Sequence, residues 1–147
     1  MIEFNNLKEM KPYYNENTNT YEFIEDNHLL DIQCKFDIHV DSNILVRNII
    51  ARNIKSLNIE AEDIKAWEIN AWNINARDIK TEDIKAWEIN AWNIEAGDIK
   101  AKYINARDII FFSVCFAYEY LRCKTIEGRI NNAKYFCLNR EIEFIKE

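Results

Sequence analysis

An isoleucine stands at every fifth position from Ile44 to Ile109, fourteen times in succession. In most repeats a small residue, usually alanine, follows two positions later. A helix would spiral these isoleucines around its surface, and a straight strand would send them to alternate faces. They can share one interior only if the chain turns a corner once per repeat. The pattern therefore predicts an all-β parallel β-helix, with three outward positions in each repeat.

A longer repeat indicates how many sides each coil has. Residues 61–80 and 81–100 are identical at 17 of 20 positions. Twenty residues make four five-residue sides, so we predict four sides per coil, with coils about 4.8 Å apart. Outward residues twenty positions apart would then stack in columns.

The I-x-A-x-[DEN] repeat over residues 44–110 resembles the pentapeptide-repeat family, although that family places the small residue before the large one. The resemblance implies a right-handed quadrilateral β-helix. The segment C-F-A-Y-x-x-L-x-C-x-x-I-x-G-R, residues 115–129, is similar to the C-terminal block of uncharacterised bacterial and phage-type proteins with Asn-Ile-x-Ala arrays. Several pentapeptide-repeat proteins imitate duplex DNA and so inhibit or protect topoisomerases.

We predict a single domain in three parts. These are an acidic, aromatic N-terminal cap (1–28), a pentapeptide-repeat β-helix (29–113), and an irregular C-terminal coil with cap strands (114–147). Caps are expected because an open β-helix end is an exposed sheet edge. Six-residue spacing predicts longer first sides, carried by Ile32/Cys34, Ile38/Val40 and Ile44/Val46. Beyond the break at Phe111, the expected inward pairs are Phe116/Tyr118, Leu121/Cys123 and Ile126/Gly128. Terminal strands are expected around Tyr135–Leu138 and Ile142–Ile145.

The four tryptophans provide the clearest functional signal. On a four-sided coil they would project outward from two adjacent columns, Arg47–Trp67–Trp87–Arg107 and Arg52–Trp72–Trp92–Phe112. Exposed tryptophan pairs are typical of interfaces. Three interpretations remain open: the rings stack on one another or lie under the N-terminal segment, they form a homodimer seam, or they bind a foreign protein. The predicted partner-binding residues are Trp67, Trp72, Trp87, Trp92, Phe112, Glu68 and Glu88.

The same threading predicts acidic columns on the surface. They pair residues twenty apart: Glu62/Glu82, Asp63/Asp83, Glu68/Glu88 and Asp78/Asp98. Stacked carboxylates repel one another unless cations lie between them. The sequence supplies four nearby cations for this purpose: Lys65, Arg77, Lys80 and Lys85. We therefore interpret these columns as solvated and charge-compensated, and not as a calcium ladder.

Charge and composition disfavour several functional classes. The net charge of −6 disfavours direct binding to nucleic acid or an anionic membrane. Residues 44–108 hold 11 acidic and 10 basic side chains, whereas residues 1–43 hold 9 and 3. The near-neutral repeat weakens the hypothesis of simple DNA mimicry. With no apolar run of membrane length and no signal segment, a cytoplasmic protein is expected.

Catalytic and metal chemistry find few candidate residues. The four cysteines lack metal-ligand spacing, and no phosphate loop or dinucleotide motif is present. The only histidines are His28 and His39, and the only serines are Ser42, Ser56 and Ser113. We therefore predict a protein without enzymatic activity, cofactor or metal.

The predicted function is protein binding. The first hypothesis is a phage- or mobile-element-type inhibitor that docks on a nucleic-acid-processing enzyme, either a CRISPR-type defence nuclease or a DNA topoisomerase. The alternative is a structural, self-assembling β-helix whose aromatic faces form a homodimer.

Overall fold

The computed structural model describes residues 1–146, apart from the side chain of Asn70, and 69% of it is in strands. The strands wind into a parallel β-solenoid of about six turns, so the predicted fold class is confirmed. All fourteen isoleucines of the repeat point into one continuous core and are at most 2% exposed. The residue two positions later also faces inward in every repeat, although Ala61, Ala86 and Ala91 are only partly buried.

The elements follow one another with almost no helix. The N-terminal elements are β1 (Ile2–Phe4), α1 (Leu7–Met10), a 3-10 helix (Lys11–Tyr13), β2 (Tyr14–Asn15), β3 (Thr20–Glu22), β4 (Ile24–Glu25) and β5 (His28–Leu29). The solenoid strands are β6 (Asp31–Cys34), β7 (Ile38–His39), β8 (Asn43–Leu45), β9 (Asn48–Ile50), β10 (Asn53–Lys65), β11 (Glu68–Lys80) and β12 (Asp83–Cys123). The last coil is formed by β13 (Thr125–Gly128), β14 (Lys134–Cys137) and β15 (Glu143–Phe144).

The strand register corrects the predicted number of sides. Ile54 lies opposite Ile69, and Ile69 opposite Ile84, so one coil closes after fifteen residues and has three sides. The prediction of a four-sided, twenty-residue coil is wrong. A step of fifteen residues and a step of twenty both place isoleucine over isoleucine. The twenty-residue similarity therefore marks a repeat of sequence that does not coincide with a turn of the solenoid.

The corners hold the coils together through shared carbonyl acceptors. The Trp67 carbonyl accepts hydrogen bonds from the backbone N–H groups of Glu82 and Asp83, at 3.0 and 2.9 Å. The Glu82 carbonyl accepts from Gly97 and Asp98 in the same way, at 2.6 and 2.9 Å. At this corner one carbonyl thus accepts from two successive N–H groups of the next coil, so that both donors stay paired where the chain bends.

The coils lengthen toward both ends of the solenoid. Ile38 lies opposite Ile54 and Ile32 opposite Ile49, which confirms the longer first sides. At the other end Asp108 lies opposite Thr125, Val114 opposite Lys134 and Arg122 opposite Glu143. The predicted terminal strands are present as β14 and β15.

One inward pair near the C-terminus differs from the prediction. Cys115 and Ala117 are fully buried, whereas Phe116 is only partly buried and Tyr118 is exposed. The prediction of Phe116 and Tyr118 as the inward pair is therefore wrong. The next inward pair begins at Cys115, six residues after Ile109 instead of five, which shifts the frame by one. Leu121 and Cys123 are buried as expected.

Candidate protein-interaction surface

All four tryptophans project outward from the corners of the solenoid, as predicted. Trp67, Trp72, Trp87 and Trp92 are between 53 and 69% exposed. Each tryptophan stands three residues after a buried isoleucine. This position lies where the chain bends from one side of the coil to the next, and its side chain faces outward. Since more than half of every side chain is exposed, the N-terminal segment does not cover them.

The column predicted for Trp67 is wrong. Its backbone N–H donates to the carbonyl of Arg52 at 2.7 Å, and its own carbonyl accepts from Glu82 at 3.0 Å. Trp67 therefore lies between an arginine and a glutamate and does not stack on Trp87. Phe112, the other aromatic residue predicted for this surface, is 48% exposed in the coil where the frame shifts.

The other tryptophans occupy two further corners. Ala71 lies opposite Ala86 and Asn73 opposite Glu88, so Trp72 lies directly beneath Trp87. Leu57 precedes Trp72 on the same corner, because Ser56 pairs with Ala71 and Asn58 with Asn73. We call Leu57, Trp72, Trp87 and Lys102 the paired-tryptophan corner. Trp92 lies opposite Arg77 on the third corner, between the pairs Ala76–Ala91 and Asp78–Asn93.

This distribution follows from two unequal periods. The sequence repeats after twenty residues, whereas the coil closes after fifteen. Equivalent tryptophans are therefore shifted by one corner from one sequence repeat to the next, Trp67 to Trp87 and Trp72 to Trp92. The aromatic rings surround the solenoid on three corners, and only Trp72 and Trp87 share one.

Three lysines surround the upper part of the paired-tryptophan corner. The Lys102 ammonium lies 4.3 Å from the centroid of the Trp87 ring and 5.3 Å from that of Tyr103, in cation–π geometry. Lys85 and Lys100 line the same surface groove, together with Tyr118 and Glu119. Sequence analysis missed this group. Threading the chain in steps of fifteen would have shown it, because Lys100 follows Lys85, and Lys102 follows Trp87, by that interval.

The acidic columns also differ from the prediction. Asp63 lies opposite Asp78, and the Arg77 guanidinium bridges them at 3.0 and 3.2 Å. This pairing raises the pKa of Arg77, through its hydrogen bonds to Asp78 and then Asp63. The predicted pairs of carboxylates twenty residues apart are wrong, but compensation by Arg77 is confirmed. Among the predicted lysines, Lys80 pairs with Glu95 at 3.4 Å.

The two glutamates predicted for the partner surface do not lie in one column. Glu68 lies between Asn53 and Asp83, on the side of the coil that begins after Trp67. Glu88 lies above Asn73 and accepts a hydrogen bond from the Asn90 amide at 2.8 Å. Glu88 is therefore adjacent to Trp87 at the paired-tryptophan corner, whereas Glu68 is adjacent to Trp67, at the corner that Trp67 shares with Arg52 and Glu82.

An asparagine ladder borders the paired-tryptophan corner. The Asn73 side chain donates to Asn58 at 2.8 Å, and Asn58 donates to Asn43 at 2.7 Å. Stacked amides of this kind hold successive coils in register. The ladder therefore fixes the register of the backbone that carries the neighbouring aromatic side chains.

Three of the four cysteines are buried. Burial raises the pKa of the Cys34 and Cys115 thiols to about 12 and that of Cys123 to about 11, so these thiols are protonated at neutral pH. Within residues 1–146 no cluster of three or more His, Cys, Asp or Glu side chains has metal-binding geometry. No helix in this part of the chain has the length and apolar character needed to span a membrane.

Comparisons with protein-family models, curated proteins and solved structures gave no match for this chain. The likeness to pentapeptide-repeat proteins therefore rests on the five-residue sequence pattern and on the parallel β-solenoid. The three-sided coil departs from the quadrilateral form that this resemblance implied.

Proposed function

We propose that this protein is a non-enzymatic protein-binding module that inhibits a nucleic-acid-processing enzyme, either a CRISPR-type defence nuclease or a DNA topoisomerase. The single observation that carries the proposal is the exposure of more than half of each of four tryptophans. Tryptophan is strongly enriched among the residues that dominate binding energy at protein interfaces. A rigid solenoid also holds these rings in place before binding, which lowers the entropic cost of association.

Two further features support an enzyme of nucleic acids as the partner. The resemblance to pentapeptide-repeat proteins implies such targets. The acidic residues of the first 43 positions give that segment an excess of six negative charges, and it forms one end of the solenoid. Such a charge would favour approach to a basic surface that normally receives DNA or RNA.

The test is inhibition of purified enzymes. The parent protein and a variant with Trp67, Trp72, Trp87 and Trp92 all changed to alanine are added to a topoisomerase supercoiling assay and to a CRISPR-type nuclease cleavage assay. We expect the parent to inhibit one of the two enzyme classes and the variant to lose that inhibition. Circular dichroism controls for folding, which the exposed positions should leave intact. Inhibition of neither class by the parent would contradict the proposal, and equal inhibition by the variant would contradict the assignment of the tryptophans.

Self-assembly remains the second candidate, favoured by a specific observation at the C-terminal end. There the side chains of Tyr135, Phe136, Leu138 and Phe144 are between 43 and 62% exposed. Among residues 1–146, strands β13, β14 and β15 each pair with β12 on one side only, and their other edge has no strand partner. Light scattering at increasing protein concentration tests this candidate. A mass that rises toward a dimer supports it, and a constant monomer mass eliminates it.

A further inference from the structure

The arginines of the repeat are paired with carboxylates, whereas most of its lysines are not. Every arginine between residues 44 and 108 forms an ion pair with a carboxylate: Arg47, Arg52, Arg77 and Arg107. Lys85, Lys100 and Lys102 form none among the described residues. Lys55 and Lys65 form none either. Lys85, Lys100 and Lys102, however, line one groove beside Trp87, together with Glu119. Three lysines without an ion pair therefore border the same aromatic corner.

The apolar residues of this corner follow one another along the solenoid axis, with Lys102 between Trp87 and Tyr118. Leu57, Trp72 and Trp87 occupy successive coils, and Tyr118 closes the groove beyond Lys102. At a coil spacing of about 4.8 Å the ridge is roughly 19 Å long. That length corresponds to about six residues of an extended chain, at about 3.3 Å each.

We infer that the paired-tryptophan corner, with Lys85, Lys100 and Tyr118, is a docking site for an acidic and apolar peptide segment of a protein partner. This inference rests on the proposed function and specifies the chemistry of one of its contact sites. Carboxylates of the segment would bind the unpaired ammonium groups, and its apolar side chains would lie on the tryptophan rings. A desolvated ammonium near an aromatic face also gains cation–π stabilisation, which Lys102 already has.

A nucleic acid fits this surface less well than a peptide does. Asp83 and Asp98 stand two residues before Lys85 and Lys100, on the same outward side of the strand. The two lysines are thus bordered by a parallel column of carboxylates. A continuous phosphate backbone would meet both columns, whereas a peptide can place a few carboxylates opposite the lysines alone.

The test measures binding of labelled probes by fluorescence anisotropy at low salt. The probes are a short peptide of glutamate and leucine, the matched peptide with lysine in place of glutamate, and an oligothymidylate of similar length. We expect a dissociation constant below about 1 mM for the acidic peptide, weakened by added salt. Changing Lys85→Glu together with Lys100→Glu should weaken it at least about tenfold. The matched control, Lys65→Glu with Lys80→Glu on another side of the solenoid, should leave it unchanged.

Three results would overturn the inference: no binding of the acidic peptide, equal weakening by both lysine pairs, or tighter binding of the oligothymidylate or the lysine peptide. The inhibition assay separates this failure from that of the proposed function. If the Lys85→Glu, Lys100→Glu protein still inhibits the enzyme fully, the docking site is wrong while the function stands. If the parent inhibits no enzyme but binds the acidic peptide as expected, the function is wrong while the site stands.

Discussion

The two ends of the solenoid are built differently, although each consists of irregular, lengthened coils. At the N-terminal end Phe23 and Met10 are fully buried and Phe4 is 3% exposed. The ring of Phe23 lies 5.6 Å from Phe4 and 5.2 Å from Tyr13, between centroids. Helix α1 and the β2–β3 hairpin thus close the core with aromatic side chains.

The C-terminal end has no comparable cover among the described residues. Tyr135 pairs in register with the buried Cys115, and Phe144 with the buried Cys123, so both stand at inward positions. They are nevertheless 43 and 50% exposed, because residues 1–146 place no further coil above them. The comparison shows that an inward position guarantees burial only between two coils, and it makes the C-terminal end the weaker part of the core.

The largest expected effect on stability is at the N-terminal end, which we call the closed end; the C-terminal end is the open end. Changing Phe23→Ala should lower the free energy of unfolding by about 3–5 kcal/mol, because it leaves a cavity within a fully buried aromatic cluster. Changing Phe144→Ala at the open end should cost less than about 1 kcal/mol. Urea unfolding followed by circular dichroism measures both. Equal losses for the two variants would contradict the difference between the ends.

A tight contact in the last coil should give the next largest effect. A Cβ added at Gly128 would lie 2.3 Å from the Cβ of Ala133 and 3.3 Å from Cζ of Phe111. Changing Gly128→Ala should therefore lower the free energy of unfolding by about 1–3 kcal/mol through overpacking. The double variant Gly128→Ala, Ala133→Gly removes the closest clash and should recover most of the loss in the same urea experiment. A double variant no more stable than the single one would show that the clash is not the cause.

A charge at the open end should change association far more than stability. Changing Leu138→Lys alters an exposed side chain and should shift the free energy of unfolding by less than about 0.5 kcal/mol. If the open end drives self-association, the same change should abolish any rise in mass with concentration. Light scattering and urea unfolding of the same samples provide the two readouts. The control, Trp92→Lys on the third corner, should leave the mass profile unaltered.

Thiol labelling compares the burial of the two ends in the unaltered protein, because it needs no substitution. Cys34, near the closed end, is buried and its thiol pKa is raised to about 12 by burial, whereas Cys137 at the open end is only partly buried. At pH 8 a thiol reagent should modify Cys137 first and Cys34 only slowly. Peptide mapping by mass spectrometry identifies the order, and faster labelling of Cys34 would contradict the closed end. In the Phe23→Ala variant the protection of Cys34 should decrease.

The same thiols predict how stability depends on alkaline pH. Their folded-state pKa values, about 11 to 12, lie above the ordinary value of about 8.5. Between these pH values the thiols of the unfolded chain lose their protons before those of the folded chain. The contribution of the buried thiols to the free energy of unfolding is therefore complete below about pH 8.5 and is lost as the pH rises toward 12. Replacing Cys115→Ala removes one thiol and should reduce this loss, as measured by urea unfolding at pH 8 and pH 10.

The candidate site was predictable only in part. The isoleucine period requires that a tryptophan three positions later face outward, and the structure confirms this for all four. Which tryptophans are neighbours depends on how many sides close a coil, and the local sequence leaves that open. The prediction therefore paired Trp67 with Trp87, whereas the register pairs Trp72 with Trp87. The lysines around Trp87 were missed for the same reason.

The sequence by itself determined that this chain forms a β-solenoid with isoleucines inside and tryptophans outside, because a five-residue period of large and small residues fits no straight element. Only the tertiary structure decided that three sides close each coil and which surface residues meet. The physical reason is that isoleucine stacks on isoleucine equally well at fifteen or twenty residues. The choice between them depends on how sharply each corner bends while the next coil still satisfies its backbone hydrogen bonds, and that depends on the packing of whole coils.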